Sequence, residues 1–561
     1  MRIRSEASGS TLYDAFCAAR QRVPTHPFLA ASALAGGQQW SYEETGQIVD
    51  ALAARYAAAG WGRRHRVAVG VGNHPRYFMH LLALNRLGAS IVPLNPDHLR
   101  AEVGYVLGHA RVALAVCSAS QARVVQQAVD GDPQLAGLAV LTLPASADEL
   151  ASFPSASGAV DRQADELAIL YTSGTTGRPK GCMLTNTYIL TAGDWYLQQG
   201  GLLHLEVGKD RLLNPLPVFH MNCGMVSFAA MLRSFNCLVL PERFHPGVWW
   251  EDCVRSAATV IHYLGIMPPV LIKQDPGPWE RCHRVRFGLG AGCDPTLHRP
   301  FEERFGFPLV EVWGMTETGR FIANQHEPRF TNTRAFGREM APLQARIVDE
   351  HDSEVAQGQA GELVVRASDA DPRGGFFSGY LYDDEATAQA WRGNWFHTGD
   401  VVRRDEHGLL HFIDRKKDMV RRSGENISSA EVEAVLAAHP QVLRVAVVAV
   451  PDALRDEEVM AVVVPADPDA DPAALSRVLV QYCLGELAYY KAPGWILFRD
   501  ALPVTPTNKV QKARLFAPGA SPVHEAFDCR PMKRRMDAGL NPPRPGDPGH
   551  PARLPGGDGR Q

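Results

Sequence analysis

The sequence lacks several features that would place the protein in a specialised class. Its ten cysteines are scattered over 561 residues without a C-x-x-C pair, which argues against a disulfide framework and a structural zinc site. The formal net charge is only −4, so charge gives no case for binding nucleic acid or an anionic membrane. No apolar run approaches a membrane span, and residues 1–11 lack the apolar core of a signal peptide. We therefore expect a large cytoplasmic protein without nucleic-acid or membrane-spanning partners.

The chain is too long for one compact core, so two or more domains are expected. Strand-like and helix-like stretches alternate over the first four hundred residues. Ser41 and Glu44 form a capping-box pattern, and Ile48, Leu52 and Tyr56 follow at helical spacing. Apolar strand-like runs are predicted at 67–71, 89–94, 112–117, 167–171, 285–289 and 309–313. This alternation predicts an α/β fold whose parallel sheets are flanked by helices.

The composition changes near residue 414, where a charged, turn-like stretch precedes a helix that begins near Ser429. We predict an N-terminal domain over residues 1–414 and a small, mobile α+β domain over 415–516. Residues 517–561 hold nine prolines and seven glycines. Because such a tail buries too little apolar area to offset its chain entropy, we predict disorder for it, with Lys533 in a solvated charge run.

Residues 171–186 read YTSGTTGRPKGCMLTN, with small hydroxylated residues and glycines close to one lysine. Glycine lets backbone N–H groups approach a ligand, hydroxyls donate hydrogen bonds, and lysine adds a charge, so the pattern predicts a phosphate-binding loop. A Walker A loop requires a second glycine five residues after the first. The residues at that distance from Gly174 and Gly177 are Pro179 and Cys182, so this motif is excluded.

Other motifs follow in order: EVWGMTETG at 311–319, WFHTGD at 395–400, IDRKKD at 413–418 and PVTPTNKVQKARL at 503–515. With these motifs in this order, residues 10–516 resemble the acyl-adenylate-forming superfamily. That superfamily contains acyl-CoA synthetases, adenylation domains and luciferases. PVFHMNC at 217–223 and RRSGEN at 421–426 resemble the crotonobetaine/carnitine-CoA ligase type.

The resemblance implies a reaction in two steps: a carboxylate attacks the α-phosphate of ATP to form acyl-AMP, and the CoA thiol then displaces AMP. It also implies ATP, Mg²⁺ and coenzyme A as ligands and, because many relatives form dimers, a homodimer. The residues implied to bind ATP or AMP are Thr172, Ser173, Gly174, Thr175, Thr176, Gly177, Lys180, Gly290, Ala291, Gly292, Trp313, Gly314, Met315, Thr316, Asp400, Phe412, Arg415 and Lys509.

Individual roles also follow from the resemblance. Thr316 would contact the α-phosphate and Glu317 would bind the metal. Asp400 would accept hydrogen bonds from the ribose hydroxyls. Trp313 stands where the family usually has Tyr, with a core aromatic as its alternative role. Lys509 would stabilise the charge that develops between carboxylate and phosphate, with Lys512 as a surface charge.

The second half-reaction is implied to involve a swing of the small domain about a hinge at Lys417. Ser423, Gly424, Glu425 and Asn426 would then approach CoA, while Lys491 is either a ligand of the acceptor or a solvated lysine. His220 would gate the acyl pocket as a catalytic residue or simply pack. The other candidate residues of that pocket are Met221, Asn222, Cys223, Tyr263, Leu264, Gly265 and Met315.

The sequence therefore predicts an AMP-forming carboxylate–CoA ligase. An adenylate-forming amide synthetase or carrier-protein ligase remains the alternative, because the acceptor is the least readable feature. A nucleotide-binding protein without catalysis is disfavoured by the combination of Lys509, Glu317 and Asp400. The identity of the acid cannot be read from the sequence, since a few methyl groups decide the shape of a pocket.

Overall fold

A computed structural model describes residues 11–143, 153–161, 165–172, 179–265, 267–415, 419–503, 510, 512, 515–516 and 522–533. The described chain forms three sheets in its N-terminal part and a fourth sheet after residue 418. Its helices are α1 (Leu12–Arg22), α2 (Tyr42–Ala58), α3 (Arg76–Arg86), α4 (Arg100–His109), α5 (Ala119–Gly131), α6 (Asn186–Gln198), α7 (Phe228–Arg233), α8 (Trp249–Arg255), α9 (Met267–Ile272), α10 (His298–Phe305), α11 (Asp384–Ala390), α12 (Ser429–Ala437) and α13 (Pro472–Glu486).

The first sheet has eight strands, of which the six central ones are parallel. In spatial order they are β14 (Phe321–Ala323), β13 (Leu309–Gly314), β12 (Phe287–Ala291), β11 (Val260–Leu264), β9 (Arg211–Leu213), β10 (Cys237–Leu240), β1 (Pro27–Ala31) and β2 (Gln39–Ser41). Since the parallel strands point the same way, the loops that follow β9, β11, β12 and β13 meet at one edge.

The second sheet has seven strands and carries the predicted phosphate loop between two of them. In spatial order they are β18 (Gly379–Tyr380), β8 (Lys180–Thr185), β7 (Glu166–Thr172), β4 (Ser90–Pro93), β3 (Arg66–Gly70), β5 (Leu114–Cys117) and β6 (Ala139–Thr142). β7 and β8 are antiparallel, with Thr172 opposite Lys180. Thr172 and Lys180, which flank the predicted phosphate loop in the sequence, are therefore neighbours at the end of this ladder.

The third sheet is antiparallel and ends the N-terminal part of the chain. Its strands are β15 (Ala335–Gly337), β21 (Leu410–Arg415), β20 (Trp395–Arg404), β17 (Ala360–Arg366) and β16 (Gln344–Val348), with β19 (Trp391–Arg392) paired to β20. The predicted alternation did not anticipate this sheet, because its strands follow one another without intervening long helices.

The fourth sheet belongs to the smaller C-terminal unit, called the lid below, which has its own hydrophobic core around α12 and α13. Its strands are β23 (Glu425–Ser428), β22 (Met419–Arg422), β25 (Asp456–Pro465), β26 (Trp495–Phe498) and β27 (Phe527–Asp528), with β24 (Val442–Asp452) paired to β25.

The structure confirms the predicted fold class: a large N-terminal unit of mixed sheets and helices is followed by a small α+β unit. The capping box at Ser41 and Glu44 starts α2 as the sequence predicts. The third sheet ends at Arg415 and the lid sheet begins at Met419. Within the described residues, no helix combines the length and the apolar character needed to cross a bilayer.

The tail departs from the predicted disorder over residues 522–533. Strand β27 pairs antiparallel with β26, and the Arg530 guanidinium lies 4.3 Å from the centre of the Trp495 ring. Lys533 is buried, and its Nζ lies 2.5 Å from Glu458 Oε1. Burial and the neighbouring Arg422 lower the pKa of Lys533 to about 7. Lys533 is thus a core residue of the lid and not part of a solvated charge run, because Glu458 offers a fully buried carboxylate.

A buried ion pair anchors the second sheet. Arg66 on β3 makes two hydrogen bonds to the Glu166 carboxylate on β7, at 2.9 and 2.8 Å. The two side chains are only 2% and 1% exposed. The Arg66 guanidinium also donates to the Ala110 carbonyl and the Tyr382 hydroxyl. This pair therefore fixes the strand that leads into the predicted phosphate loop.

Replacing one partner would leave an uncompensated buried charge. We predict that Arg66→Met lowers the free energy of unfolding by about 3–5 kcal/mol, measured by urea denaturation. Arg299→Met is the matched control, because the Arg299–Glu303 pair is solvent-exposed and its loss should have little effect. The double variant Arg66→Met/Glu166→Leu should recover part of the stability. A stability of Arg66→Met equal to that of Arg299→Met would contradict the assignment.

Candidate functional site

The candidate site lies at the edge where the parallel strands of the first sheet end. The loops after β11 and β12 touch there: a Cβ atom on Gly265 would lie 1.9 Å from the Gly292 carbonyl oxygen. Only glycine permits such an approach of two backbones. Gly290 pairs with Tyr263, and Ala291 with Leu264, in the parallel ladder. The predicted adenine loop, Gly290–Gly292, is therefore held against the end of β11.

The side chain of Glu311, which was not among the predicted site residues, binds the backbone of this loop. Glu311 on β13 accepts hydrogen bonds from the backbone N–H groups of Gly292, at 2.8 Å, and Cys293, at 3.2 Å. The Tyr263 hydroxyl also donates to it. Burial raises the pKa of Glu311 to about 7, although these donors favour the ionised form. Its position two residues before the predicted site residue Trp313 is the signal that could have found it.

Trp313 and Asp400 connect the first and third sheets. The indole Nε1 of Trp313 donates a hydrogen bond of 2.8 Å to Asp400 Oδ2. Both residues are buried, and Asp400 lies opposite Arg415 in the β20–β21 ladder. Trp313 therefore does more than present a ring: its N–H orients the carboxylate that the sequence predicts to bind ribose.

The predicted phosphate and metal residues also lie together. Tyr380 links two of them: its hydroxyl donates to Glu317 Oε1 at 3.0 Å, and its ring centre lies 4.8 Å from Lys180 Nζ. Asp383 lies 3.7 Å from the same ammonium. Thr316 is placed by the Tyr188 hydroxyl, which donates to its carbonyl at 2.7 Å. A cation, a buried carboxylate and the end of the hairpin at Thr172 thus share one region.

Several predicted site residues lie outside the described part of the chain. They are Ser173, Gly174, Thr175, Thr176, Gly177, Lys417 and Lys509. Arg415 and Asn426 are described as strand residues only. The roles of all nine stay predictions.

The lid reaches the cleft through the turn between β22 and β23. Glu425 Oε1 lies 3.4 Å from His220 Nε2, and a Cβ atom on Gly424 would lie 2.6 Å from Leu264. Ser423 precedes this glycine with a positive φ of 50°. Burial alone would raise the pKa of Glu425, but His220 and Lys491 outweigh it and lower that pKa. On the same side, the Arg421 guanidinium lies 5.5 Å from the centre of the Phe412 ring.

The predicted acyl-pocket residues divide into two groups. His220, Met221, Asn222, Leu264, Gly265 and Met315 are partly exposed at the cleft. Cys223 and Tyr263 are 0% and 1% exposed and pack in the hydrophobic core. The structure therefore places Cys223 and Tyr263 behind the cleft and not on its wall. Gly314 is exposed beside Met315.

Lys491 is neither a solvated lysine nor exposed to a ligand. Its Nζ lies 2.8 Å from Glu102 Oε1 on α4 and 2.9 Å from Glu431 Oε1 on α12. Burial alone would lower the pKa of Lys491, but the two carboxylates outweigh it and raise that pKa. Nearby, Asn95 donates to the Tyr490 hydroxyl at 3.1 Å. Lys491 therefore joins the lid to the N-terminal unit, a contact that sequence spacing cannot reveal.

Family models match this chain in two places: the AMP-binding enzyme model over residues 17–381 and the AMP-binding enzyme C-terminal domain model over residues 431–509. The protein belongs to the AMP-binding enzyme family.

Curated relatives of this AMP-binding enzyme include the crotonobetaine/carnitine–CoA ligases of Shigella flexneri and Escherichia coli O157:H7. Each is 29% identical over 492 residues, which cover 85% of this chain and 93% of the relative. These relatives confirm the resemblance to that ligase type.

Solved structures show the same fold. An o-succinylbenzoate CoA synthetase from Bacillus subtilis has a TM-score of 0.76 at 22% identity, covering 90% of this chain and 98% of its own. The amide bond synthetase McbA from Marinactinospora thermotolerans has a TM-score of 0.75 at 26% identity, covering 90% and 99%. ATP-bound MatB from Rhodopseudomonas palustris has a TM-score of 0.61 at 27% identity, covering 89% and 97%.

The Trp313–Asp400 hydrogen bond generates a prediction about nucleotide binding in this AMP-binding enzyme. Trp313→Phe keeps an aromatic ring but removes the donor to a buried carboxylate. Hydrogen bonds to charged groups are worth about 1.5–3 kcal/mol, so AMP affinity should fall about 10-fold or more by calorimetry. Trp391→Phe is the control, because among the described residues the Trp391 indole nitrogen has no hydrogen-bond partner. Equal AMP affinities of the two variants would refute the role of the Trp313 donor.

The pKa of Glu311 generates a prediction about stability and pH. Because this pKa is raised to about 7, the folded state binds more protons than the unfolded state between about pH 4.5 and 7. The contribution of Glu311 to the free energy of unfolding is therefore fully present below pH 4.5 and is lost as the pH rises through 7. Relative to Glu311→Gln, the unfolding free energy of the AMP-binding enzyme should fall by about 3 kcal/mol over this range.

Urea denaturation of both proteins at several pH values measures that difference. The nearby His298, whose Nε2 lies 3.7 Å from Glu311 Oε1, has its pKa lowered to about 4 by burial, so it contributes a stability that rises with pH from about 4 to 6.5. Both proteins contain His298, so this contribution cancels in the difference. Parallel stability curves for the two proteins would show that Glu311 does not titrate in this window.

Proposed function

We propose that this protein is an ATP-dependent, AMP-forming carboxylate–CoA ligase. The observation that carries the proposal is the meeting of Lys180, Glu317 and Tyr380 beside the loop that follows Thr172. A polyphosphate needs cations and hydrogen-bond donors, and its metal needs a hard oxygen ligand. The curated relatives, which are named as CoA ligases and are matched over 93% of their length, support the same activity.

In the first step, an oxygen of the acid attacks the α-phosphorus of ATP, the bond to the bridging oxygen breaks, and pyrophosphate leaves with its electron pair. Lys180 and the loop after Thr172 bind the polyphosphate, and Thr316 binds the α-phosphate. Trp313 orients Asp400 toward the ribose, while the adenine lies against Gly290–Gly292.

Mg²⁺ fits this site through the hard carboxylate oxygens of Glu317, which accepts a hydrogen bond from Tyr380, the residue whose ring also contacts Lys180. When bound, Mg²⁺ would neutralise developing phosphate charge. We assign the remaining stabilisation in the first step to Lys509, an assignment that the resemblance of PVTPTNKVQKARL to the superfamily supports.

In the second step, the CoA sulfur attacks the acyl carbon of acyl-AMP, the bond to the phosphate oxygen breaks, and AMP leaves while the thiol proton is released. The lid position supports this step, since Gly424 contacts Leu264 and Glu425 contacts His220. Lys491 holds the position by its pairs with Glu102 and Glu431. We infer that the lid moves about Lys417 between the two steps, so these contacts break during each cycle.

We do not infer that this protein uses the acid substrate for which the relatives are named. The candidate pocket residues His220, Met221, Asn222 and Met315 include no carboxylate that would pair with a quaternary ammonium group. The predicted cytoplasmic location and homodimer stay predictions.

An amide synthetase is the second candidate, because McbA shares the fold at 26% identity and a TM-score of 0.75. The two candidates share the adenylate and differ in the acceptor. Supplying CoA or a set of primary amines together with ATP and an acid, and identifying the acyl product by mass spectrometry, separates them.

Lys509 provides the test of the catalytic assignment. Lys509→Ala should slow pyrophosphate release about 100-fold or more, because it removes charge stabilisation in the transition state. Conversion of supplied acyl-AMP and CoA to thioester should be retained. Lys512→Ala is the matched control: Lys512 is bound to Glu433 and Ser429 within the lid, each at 2.7 Å. Normal adenylation by Lys509→Ala would refute the assignment.

A further inference from the structure

A buried polar cluster lies behind the cleft, in a place where the proposed reaction steps use none of its members. Asn214 follows β9, His262 lies on β11, and Asn222 opens a π-helix over Asn222–Ser227. Tyr196 on α6 closes the cluster. Polar groups in a core cost free energy unless they are fully paired, so the direction of each hydrogen bond in the cluster carries information.

The backbone N–H of Leu216 fixes the orientation of the Asn214 amide. The Leu216 N–H can only donate, and it lies 2.9 Å from Asn214 Oδ1. The Asn214 amide nitrogen is therefore the donor on the other side, with Asn222 Oδ1 at 3.0 Å and Ser227 Oγ at 2.9 Å. It follows that the Asn222 oxygen faces into the cluster as an acceptor.

The histidine in the cluster gives the same orientation. His262 is fully buried, and burial lowers its pKa to about 3, so the imidazole is neutral. Its Nε2 accepts from the Tyr196 hydroxyl at 3.0 Å, and its Nδ1–H donates to Asn222 Oδ1 at 2.7 Å. These directions follow from the first one: Asn222 Oδ1 can only accept, so the 2.7 Å contact makes His262 Nδ1 the N–H and leaves Nε2 as the acceptor. Asn214 and His262 thus both donate to the Asn222 oxygen, and the amide NH₂ group points away from the cluster.

The outward NH₂ group lies at the cleft. Asn222 is partly exposed, as are its neighbours His220 and Met221, and within the described residues no acceptor is hydrogen-bonded to Asn222 Nδ2. β11 and β9 are two and three strands, respectively, from β13, which carries Trp313; this corresponds to about 10–15 Å at the usual strand spacing. An acyl group that extends along this edge from an adenylate bound at β12 and β13 would point toward this region.

We propose that Asn222 determines acid specificity by donating a hydrogen bond to an acceptor oxygen, such as a hydroxyl or carbonyl oxygen, on the acyl group of the substrate. This inference rests on the proposed ligase function and deepens it. An alkanoate without such an oxygen would exclude water from the Asn222 NH₂ group without accepting a hydrogen bond from it. Leaving a buried donor unpaired weakens binding strongly. An acid with an ammonium group finds no carboxylate among the cluster residues Tyr196, Asn214, Asn222, Ser227 and His262.

The test uses matched acids that differ by one oxygen. Hexanoate is compared with its 2-, 3-, 4-, 5- and 6-hydroxy derivatives and with 5-oxohexanoate, and benzoate with its three hydroxy isomers. Pyrophosphate release gives kcat/KM for each acid. The wild-type enzyme should prefer at least one oxygenated acid over its parent by about 10-fold or more.

Two variants test whether Asn222 causes that preference. Asn222→Leu has nearly the same shape without the donor, and Asn222→Asp keeps an oxygen for Asn214 and His262 but presents an acceptor to the cleft. Asn222→Leu should reduce the preference ratio to about one or below for every oxygenated acid. Asn222→Asp should do so for 5-oxohexanoate, whose carbonyl oxygen only accepts, whereas a hydroxyl can still donate to the new carboxylate. Because the ratio compares two acids on one protein preparation, a loss of folded enzyme cancels.

The outcomes separate the inference from the function. Equal use of parent and oxygenated acids, or an unchanged ratio in Asn222→Leu, would overturn the role of Asn222 and leave the ligase intact. Absence of pyrophosphate release with every acid would overturn the proposed function and this inference with it.

Discussion

The cleft depends on the contact between two backbones at the ends of β11 and β12. Gly265 and the Gly292 carbonyl are so close that no side chain fits between them. Glu311 holds the second of these loops through two backbone N–H groups. This arrangement leaves a flat backbone surface beside Trp313, which a planar base can cover. Two other parts of the site contact this surface. Asp400 is bound by the indole N–H of Trp313, and the lid packs against Leu264 through Gly424.

Three sheets contribute to this cleft, and each supplies a different chemical group. The first supplies the glycine loop and Trp313, the second supplies Lys180 at the end of its hairpin, and the third supplies Asp400. Tyr380, at the edge of the second sheet, connects Lys180 with Glu317 from the loop after β13. Because no single segment carries the whole site, its geometry requires the N-terminal unit to be folded. The buried Arg66–Glu166 pair contributes to function in this indirect way.

The lid presents its own turn to the cleft, and two kinds of contact hold it there. Apolar contact between Gly424 and Leu264 lies near the cleft, while the Lys491 pairs with Glu102 and Glu431 lie where α4 meets the lid. Removing Lys491 would leave the buried carboxylates of Glu102 and Glu431 without their shared cation, so this contact depends on the lysine. The tail segment 522–533 reinforces the same unit, because Lys533 binds Glu458 and also donates to the Tyr490 carbonyl next to Lys491.

The sequence alone determined the fold class, and the resemblance of its ordered motifs to a known superfamily indicated the family and the candidate nucleotide residues, whose roles stay predictions. It could do so because periodicity, capping and glycine-rich loops are local properties that neighbouring residues express wherever the chain folds. Tertiary structure alone decided what those residues touch. The clamp of Glu311, the indole donor on Asp400, the Lys491 bridge and the fixed amide of Asn222 all join residues far apart in the chain. The same long-range packing turned Lys533 into a core residue, and Cys223 and Tyr263 into residues behind the cleft. Burial and hydrogen-bond direction depend on which distant segments meet, and sequence spacing does not record that.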